Sequence, residues 1–179
     1  MLGLDRKSVL LVPHRKAWKT LFEREEKLLR SALGDYAAAI EHIGSTAIPD
    51  IAAKPIIDIL VGVEAGDLSE VEKYLPPLAR IGYEYRGEAG TAGRRYFRKG
   101  TAAAVSTHHL SIAERGGEIW RRHILFRDYL RAEPEAARAY AELKKNLAIK
   151  YKERREDYTD GKTGFVEEIL LKAGFSGQK

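Results

Sequence analysis

The most apolar run in the chain is Lys54-Pro55-Ile56-Ile57-Asp58-Ile59-Leu60-Val61-Gly62-Val63. Isoleucine, leucine and valine fill both alternating faces of this run, which is typical of a strand that is covered on both sides of its sheet. We therefore predict a central strand here. Asp58 lies in its middle, and an ionised carboxylate is costly to bury unless it is paired or binds a cation. Asp58 is thus either near the exposed end of the strand or functional, with a structural ion pair to Lys54 as the alternative.

Helices and shorter strands are predicted on either side of this strand. Apolar residues at helical spacing predict a helix over about 14–33, and a short strand over 37–43 follows it. Beyond the central strand, the pattern predicts a helix through 68–78, strands over about 83–86, 94–98 and 103–113, and helices over 119–131, 135–151 and 164–173. This order predicts an α+β (mixed α/β) fold in a single domain spanning 1–179. In it, a mixed β-sheet flanked by helices covers about 13–115, and C-terminal helices over about 116–175 pack on it.

The composition excludes several classes of site. The chain has 179 residues, which suits one domain, and no cysteine, which excludes disulfides, zinc–cysteine sites, iron–sulfur clusters and a cysteine nucleophile. The net charge of +5 permits a polyanionic partner without requiring one. We expect a cytoplasmic protein, because no apolar run is long enough to span a membrane and charges stand where a signal peptide would be apolar.

A glycine–serine turn follows the strand over 37–43. In His42-Ile43-Gly44-Ser45-Thr46, the glycine lets a ligand approach the backbone, and the Ser45 hydroxyl lies beside N–H groups that favour phosphate. An ordinary turn with Ser45 or Thr46 as a helix N-cap explains the same residues. Twelve residues separate Ser45 from Asp58, a spacing by which nucleotidyltransferases place a phosphate turn beside a carboxylate that holds Mg²⁺. Leu60 stands where a second carboxylate is usual in a two-metal site.

Two neighbouring histidines fall in a predicted strand. In Thr107-His108-His109-Leu110-Ser111-Ile112, His109 shares one face with Thr107 and Ser111. His109 is a candidate metal ligand, phosphate donor or general base, and His42 joins it if its strand lies beside Asp58. The alternative is one half-buried, hydrogen-bonded ring next to one exposed ring.

Two basic segments are candidates for binding anions. Arg94-Arg95-Tyr96-Phe97-Arg98-Lys99 follows a glycine-rich loop. We take one of Arg94 and Arg95 as a phosphate contact, whereas Arg98 and Lys99 suit a solvated edge strand. The segment from Lys144 to Arg155 mixes basic with acidic residues, which is more typical of an exposed, salt-bridged helix face than of a nucleic-acid groove.

A family resemblance extends from about Pro13 to Ala173. It is carried by Ile40–Pro49 with Ala52–Ile59, Gly93–Arg98, Thr107–Leu110, Leu125–Arg131, Tyr158 and Lys162–Phe165. Together these segments resemble the GrpB family. The resemblance implies a branch of the nucleotidyltransferase superfamily, with the phosphate turn at Gly44 and Ser45 and the first metal carboxylate at Asp58. This chain has Ser111 where the family commonly has a second histidine.

Two classes of function follow. The first is an enzyme that binds a nucleotide or another phosphate compound and transfers a nucleotidyl group. Its catalytic residues are Asp58 and His109, its ligands for Mg²⁺ (or Mn²⁺) are Asp58, His42 and His109, and its phosphate-binding residues are Gly44, Ser45, Thr46, Lys54 and Arg95. The second class is a non-catalytic ligand-binding or accessory module. One example would assist dephospho-CoA kinase in coenzyme A synthesis, because the resemblance includes domains fused to that kinase. RNA binding through the basic C-terminal helices is a third hypothesis.

Overall fold

Seven strands and six α-helices make up the fold over residues 2–5, 8–101 and 105–176, which the computed structural model describes. The strands are β1 (Leu4–Asp5), β2 (Ala39–Ile43), β3 (Ile57–Val63), β4 (Tyr83–Tyr85), β5 (Arg95–Lys99), β6 (Val105–Ser106) and β7 (His108–Glu114). The helices are α1 (Ala17–Leu33), α2 (Leu75–Arg80), α3 (Glu118–Ala132), α4 (Pro134–Lys150), α5 (Arg155–Asp160) and α6 (Thr163–Lys172). Short 3₁₀ helices lie at Gly34–Tyr36, Ser45–Ala47 and Asp67–Tyr74.

Five of the strands form one mixed sheet in the order β2-β3-β7-β5-β4. Strand β3 runs parallel to β7 and antiparallel to β2, so the apolar segment is paired along both edges, as predicted. Strands β1 and β6 pair separately. The predicted α+β class, with a mixed sheet flanked by helices, is confirmed. The single strand predicted over 103–113 is instead two strands interrupted at Thr107, and residues 102–104 lie outside the described ranges.

Helices cover the two faces of the sheet unequally. On one face, which we call the α1 face, α1 and α2 complete the main core, whose members include Trp18, Leu29, Ile59, Phe97 and Leu110. On the other, the α3 face, α3 packs onto a smaller cluster of Ile43, Leu60 and Ala113. A Cβ on Gly62 would fall 2.7 Å from Cζ3 of Trp120, so a glycine there is what lets α3 lie this close. The smaller core leaves room beside α3 for a cavity.

The C-terminal helices form a second apolar cluster with the loop that follows β2. Ile48 and Ile51 of this loop pack among side chains of α3, α4 and α6, including Leu130, Tyr140 and Ile169. Two arginines of α3 hydrogen-bond to backbone carbonyls on either side of the glycine–serine turn. Nη1 of Arg127 donates to the carbonyl of His42 at 3.0 Å, and Nε of Arg131 donates to the carbonyl of Ala47 at 2.9 Å. The glycine–serine turn is therefore held by α3 as well as by the sheet.

The predicted helices are confirmed with small shifts at their ends, with two differences. The helix through 68–78 divides into a 3₁₀ helix and α2, because Pro76 and Pro77 cannot donate to a preceding helical turn. The sequence pattern does not predict α5 at all. Lys144 is buried and its Nζ donates to the carbonyl of Ala52 at 2.5 Å, so the expectation of an exposed face is wrong for this residue. Across the described ranges, every helix is too short or too polar to cross a membrane.

Two histidines are buried on the α1 face. His42 stacks on Phe22 with 4.8 Å between ring centroids, and its Nε2 lies 2.9 Å from the hydroxyl of Thr46. Nε2 of His108 lies 3.7 Å from the carboxylate of Glu25. Burial lowers the pKa of each ring to about 4. Both rings are therefore neutral at pH 7.

The free energy of unfolding should fall as the pH is lowered from about 6.5 to about 4. In this range an unfolded histidine takes up a proton whereas buried His42 and His108 do not, so acid favours the unfolded state. Urea denaturation at about pH 7, 6 and 5 measures the slope, and His42→Gln should reduce it by up to ~1.4 kcal/mol per pH unit. Leu29→Ala removes core packing but no titrating group, so it should lower stability with an unchanged slope. A wild-type curve that is flat over this range would contradict the buried neutral rings.

Candidate functional site

Asp58 and His109 lie side by side on the parallel strands β3 and β7, on the α3 face. Oδ1 of Asp58 lies 3.0 Å from Nδ1 of His109. Burial raises the pKa of Asp58, but the hydrogen bond from His109 and the charge of Lys54 outweigh this and lower it, so the carboxylate is ionised and can only accept. Nδ1 therefore donates, and Nε2 is left to accept a proton. Nε2 is buried, and no described residue hydrogen-bonds to it. A ring oriented in this way by a carboxylate is the arrangement of a general base.

The glycine–serine turn wraps around the Asp58 carboxylate. Gly44 has φ 68° and ψ −172°, a conformation available essentially to glycine alone. A Cβ at this position would overlap Oδ2 of Asp58. The space over this glycine, which the sequence pattern assigns to a ligand, is occupied by a carboxylate of the protein itself. Tyr140 of α4 and Ser45 line the same cavity, whereas the Thr46 hydroxyl lies 2.9 Å from Nε2 of His42.

Two adjoining cavities open beside the Asp58–His109 pair. The inner cavity has a volume of about 290 Å³ and is bordered by the glycine–serine turn, α5 and the start of α6. The outer cavity has a volume of about 1080 Å³ and lies between β5 and the segment 153–160. Gly44, Asp58 and His109 line both cavities. A ligand that extends from one cavity into the other would therefore pass directly over the pair.

Three cationic side chains line the inner cavity, namely Lys54, Arg155 and Lys162. Nζ of Lys54 lies 5.2 Å, and Nζ of Lys162 4.7 Å, from the ring centroid of Tyr158. Neither lysine forms an ion pair with a carboxylate in the described part of the chain. Burial, aided by the charges of Arg155 and Lys162, lowers the pKa of Lys54 to about 7, and burial also lowers the pKa of Lys162. Asp58 is the only carboxylate among the described residues that line this cavity.

The outer cavity is larger and of mixed charge. The guanidinium carbons of Arg94 and Arg98 lie 4.8 and 5.6 Å from the ring centroid of Tyr96, and Nε of Arg98 is buried without a partner among the described residues. His123 of α3 also lines this cavity, and burial lowers its pKa to about 4 against the opposing charge of Asp58. The wall on the α5 side carries Glu153, Glu156, Asp157 and Asp160. These surroundings suit the polar organic part of a ligand.

Two predicted residues do not reach the site. Successive residues of a strand point to opposite faces. Ile43 is the cross-strand partner of Asp58, so His42 lies on the α1 face and does not join Asp58 and His109. Arg95 is also on the α1 face, where its Nη1 lies 3.1 Å from the carboxylate of Glu88. Arg94 and Arg98 line the outer cavity, so of the two candidates for a phosphate contact Arg94, rather than Arg95, faces the site.

The side chains at the site do not form a cage for a divalent metal. Mg²⁺ requires several oxygen ligands in near-octahedral geometry. Asp58 supplies one carboxylate, and its Oδ1 already accepts from His109. Over residues 2–5, 8–101 and 105–176, no group of three or more histidine, aspartate or glutamate side chains is placed to hold a metal ion. The predicted set of Asp58, His42 and His109 therefore does not fit a resident Mg²⁺ or Mn²⁺.

Several residues of the site lie far from Asp58 in the sequence. They are His123 on α3, Tyr140 on α4, Arg155 and Tyr158 on α5, and Lys162 just before α6. None has a local pattern that indicates a ligand site. Tyr158 and Lys162 do belong to a segment that carries the family resemblance, and this is the one sequence signal that points to them.

The comparisons with known proteins agree with this architecture. The family model described as GrpB protein matches residues 8–172. The chain belongs to the GrpB family. The glutamate-rich protein GrpB of Alkalihalophilus pseudofirmus is 44% identical, over 95% of this chain and 98% of that relative. A crystal structure of a conserved protein GrpB from Enterococcus faecalis is 41% identical with a TM-score of 0.83, over 92% of this chain and 96% of that one. A dephospho-CoA kinase of Mycolicibacterium paratuberculosis is 26% identical, over 80% of this chain and 40% of that protein.

The GrpB match confirms the resemblance that the motifs predict. It includes both the sheet and the C-terminal helices, and every residue that lines the two cavities falls inside it. The inner cavity, which needs residues from both parts, is thus contained within the GrpB region of the chain.

Gly44→Ala should destabilise the protein and disturb the Asp58–His109 pair. The backbone strain alone should cost about 1–3 kcal/mol, and displacement of Asp58 adds to it. Gly87→Ala is the matched control, because Gly87 has a similar φ of +65° but no atom within 4 Å of an added Cβ. Chemical denaturation should show the larger loss for Gly44→Ala, and the NMR resonances of the His109 ring should shift in that variant alone. Equal losses with unchanged His109 resonances would show that the turn does not hold Asp58.

Proposed function

We propose that this protein binds a nucleotide or related phosphate compound across the two cavities and transfers a nucleotidyl group from it, as a nucleotidyltransferase-like enzyme. The observation that carries the proposal is a carboxylate-oriented histidine beside a cationic cavity. His109 supplies a proton acceptor, and Lys54, Arg155 and Lys162 supply positive charge next to it. Gly44 lines both cavities and Ser45 lines the inner one, so the predicted phosphate turn adjoins these cations.

The proposed reaction uses groups that are present in the chain. A hydroxyl of the acceptor, in the outer cavity, attacks the α-phosphorus of a nucleoside triphosphate. The new oxygen–phosphorus bond forms as the bond to the leaving pyrophosphate breaks. Nε2 of His109 takes the proton of the hydroxyl, and Asp58 stabilises the resulting imidazolium. The electron pair leaves with the pyrophosphate, whose charge the inner-cavity cations offset. In this proposal the side chains of Lys54, Arg155 and Lys162 offset the charge of the leaving pyrophosphate, and no resident metal ion takes part.

A non-catalytic accessory module is the second candidate function. Two observations favour it. Leu60 stands in place of a second carboxylate, and the chain is similar to part of a protein named dephospho-CoA kinase. In this alternative the cavities bind the same class of ligand, but Asp58 and His109 perform no proton transfer. The partner enzyme would then act on what this protein binds.

Thermal stabilisation by nucleotides is the first test. A ligand at about 100 times its Kd adds roughly 2.7 kcal/mol to stability. We expect at least one of the four nucleoside triphosphates, with or without Mg²⁺, to raise the Tm of the wild type, and we expect Lys54→Met to diminish that rise. Lys145→Met is the control, because Lys145 is exposed on α4 beside Glu142 and lines neither cavity. If no triphosphate shifts the wild-type Tm, nucleotide binding is refuted.

Pyrophosphate release separates the two candidate functions. With the stabilising nucleotide and with water as acceptor, the wild type should release pyrophosphate, and His109→Gln should lower the rate by about 10²–10⁴-fold while nucleotide still binds. His108→Gln changes the neighbouring ring on the opposite face and should leave the rate within a few-fold of the wild type. Nucleotide binding without any release would instead favour the accessory module.

Sulfate binding should weaken as the pH rises above about 7. Sulfate remains a dianion throughout, so the titrating groups belong to the protein. Lys54, whose pKa is lowered to about 7 by burial and by Arg155 and Lys162, must be protonated to attract it. The Kd measured by calorimetry should rise by up to about tenfold per pH unit above pH 7. Lys54→Arg keeps the charge and should make the dependence shallower. A Kd that is constant from about pH 6 to 8.5 would exclude Lys54 from the anion site.

A further inference from the structure

We propose that the inner cavity is the subsite for a terminal phosphate or diphosphate group, held between Lys54 and Lys162 against the ring of Tyr158. The substrates of this protein would then be compounds that end in such a group. This inference rests on the proposed function and deepens it, because it assigns an orientation to the ligand and roles to Tyr158 and Lys162.

The first argument is the pairing of two cations on one aromatic ring. Lys54 reaches Tyr158 from the loop before β3, and Lys162 reaches it from the residue before α6, at 5.2 and 4.7 Å from the ring centroid. Like charges in a partly buried site repel each other, and water screens them poorly there. Burial lowers the pKa of Lys54 to about 7, and the charges of Arg155 and Lys162 contribute to the same shift. A dianion between the two ammonium groups would relieve this repulsion.

The second argument is the charge of the cavity. Lys54, Arg155 and Lys162 are the cations of this cavity, with Lys54 about half protonated at pH 7, and Asp58 contributes one negative charge. A terminal phosphate carries a charge of about −1.5 to −2 at pH 7 and would neutralise the positive charge that Asp58 does not balance. A phosphodiester carries a single negative charge. The lining therefore favours the end of a phosphate chain over an internal phosphate. Tyr140 also borders this cavity, and burial raises its pKa to about 12, so its hydroxyl remains protonated.

The third argument is size and position. Sites for small organic ligands usually measure about 300–1,000 Å³. The inner cavity, at about 290 Å³, falls just below that range, while the outer cavity, at about 1080 Å³, slightly exceeds it. The phosphate end therefore enters the inner cavity and the organic part remains in the outer one. His109 lies at the junction, so the phosphorus beside it is the one that links the two parts, and the group inside the inner cavity is the one that leaves.

Calorimetric titration with pyrophosphate, ATP and 3′,5′-cyclic AMP tests this orientation. Pyrophosphate and ATP should bind the wild type, and cyclic AMP, which has no terminal phosphate, should bind at least tenfold more weakly. Lys162→Met should weaken pyrophosphate and ATP by about tenfold or more. The same substitution should raise the Tm of the unliganded protein, because it removes a partly buried cation from a repulsive pair. A lysine with a purely structural role would lower the Tm when replaced.

Lys150→Met is the matched control. Nζ of Lys150 lies 5.1 Å from the ring centroid of Tyr151, so it too is a lysine over a tyrosine, but it is exposed and lines neither cavity. Its replacement should leave all three titrations unchanged. If ATP binds Lys162→Met as tightly as the wild type, or if cyclic AMP binds the wild type as tightly as ATP, the terminal-phosphate subsite is refuted while nucleotide binding stands. If neither pyrophosphate nor ATP binds the wild type, the proposed function fails as well.

Discussion

An ionised carboxylate within an apolar strand is the constraint on which the rest of this site depends. Asp58 lies between Ile57 and Ile59, both of which are fully buried in the main core. It stays ionised because three features converge on it. His109 donates to it from the neighbouring strand, Gly44 leaves space for its second oxygen, and Lys54 adds positive charge. These contacts also constrain three segments of the chain. Asp58 determines which residue of β7 lies beside it, the conformation of the glycine–serine turn and the course of the loop before β3.

The C-terminal helices extend this arrangement from a pair of residues to a cavity. Arg127 and Arg131 of α3 bind carbonyl groups on either side of the glycine–serine turn, so α3 is positioned by the same turn that encloses Asp58. Helices α4 and α6 pack against α3, and α5 packs against α4, so that Tyr140, Tyr158 and Lys162 lie around the inner cavity. A sheet without these helices would retain the Asp58–His109 pair but would lose two of the three cations that line the inner cavity, Arg155 and Lys162. The site is therefore a property of the whole GrpB region.

Local patterns in the sequence predict the sheet, most helices and the Asp58–Gly44 half of the site. These features depend on a carboxylate in an apolar run and on a glycine after a strand, both of which are visible without a structure. The face of His42 is not visible, because it depends on the register between β2 and β3, and a shift of one residue exchanges the two faces. The alternation of side chains along β5 likewise determines that Arg94 and Arg98, rather than Arg95, line the outer cavity. Lys162 and Tyr158 depend on tertiary packing over about a hundred residues of intervening chain, which no periodic pattern encodes.

Two other lysines of this chain show how a cation with a structural role is paired. On the α1 face, Nζ of Lys99 lies 2.7 Å from a carboxylate oxygen of buried Glu25, so the charge is neutralised. Lys144 is buried without a carboxylate but donates to the carbonyl of Ala52. Lys54 and Lys162 have neither kind of partner in the described residues, and apolar side chains at these positions would be expected to increase stability. Residues that lower stability persist where a ligand needs them. We infer that the negative charge these two lysines lack is supplied by the ligand.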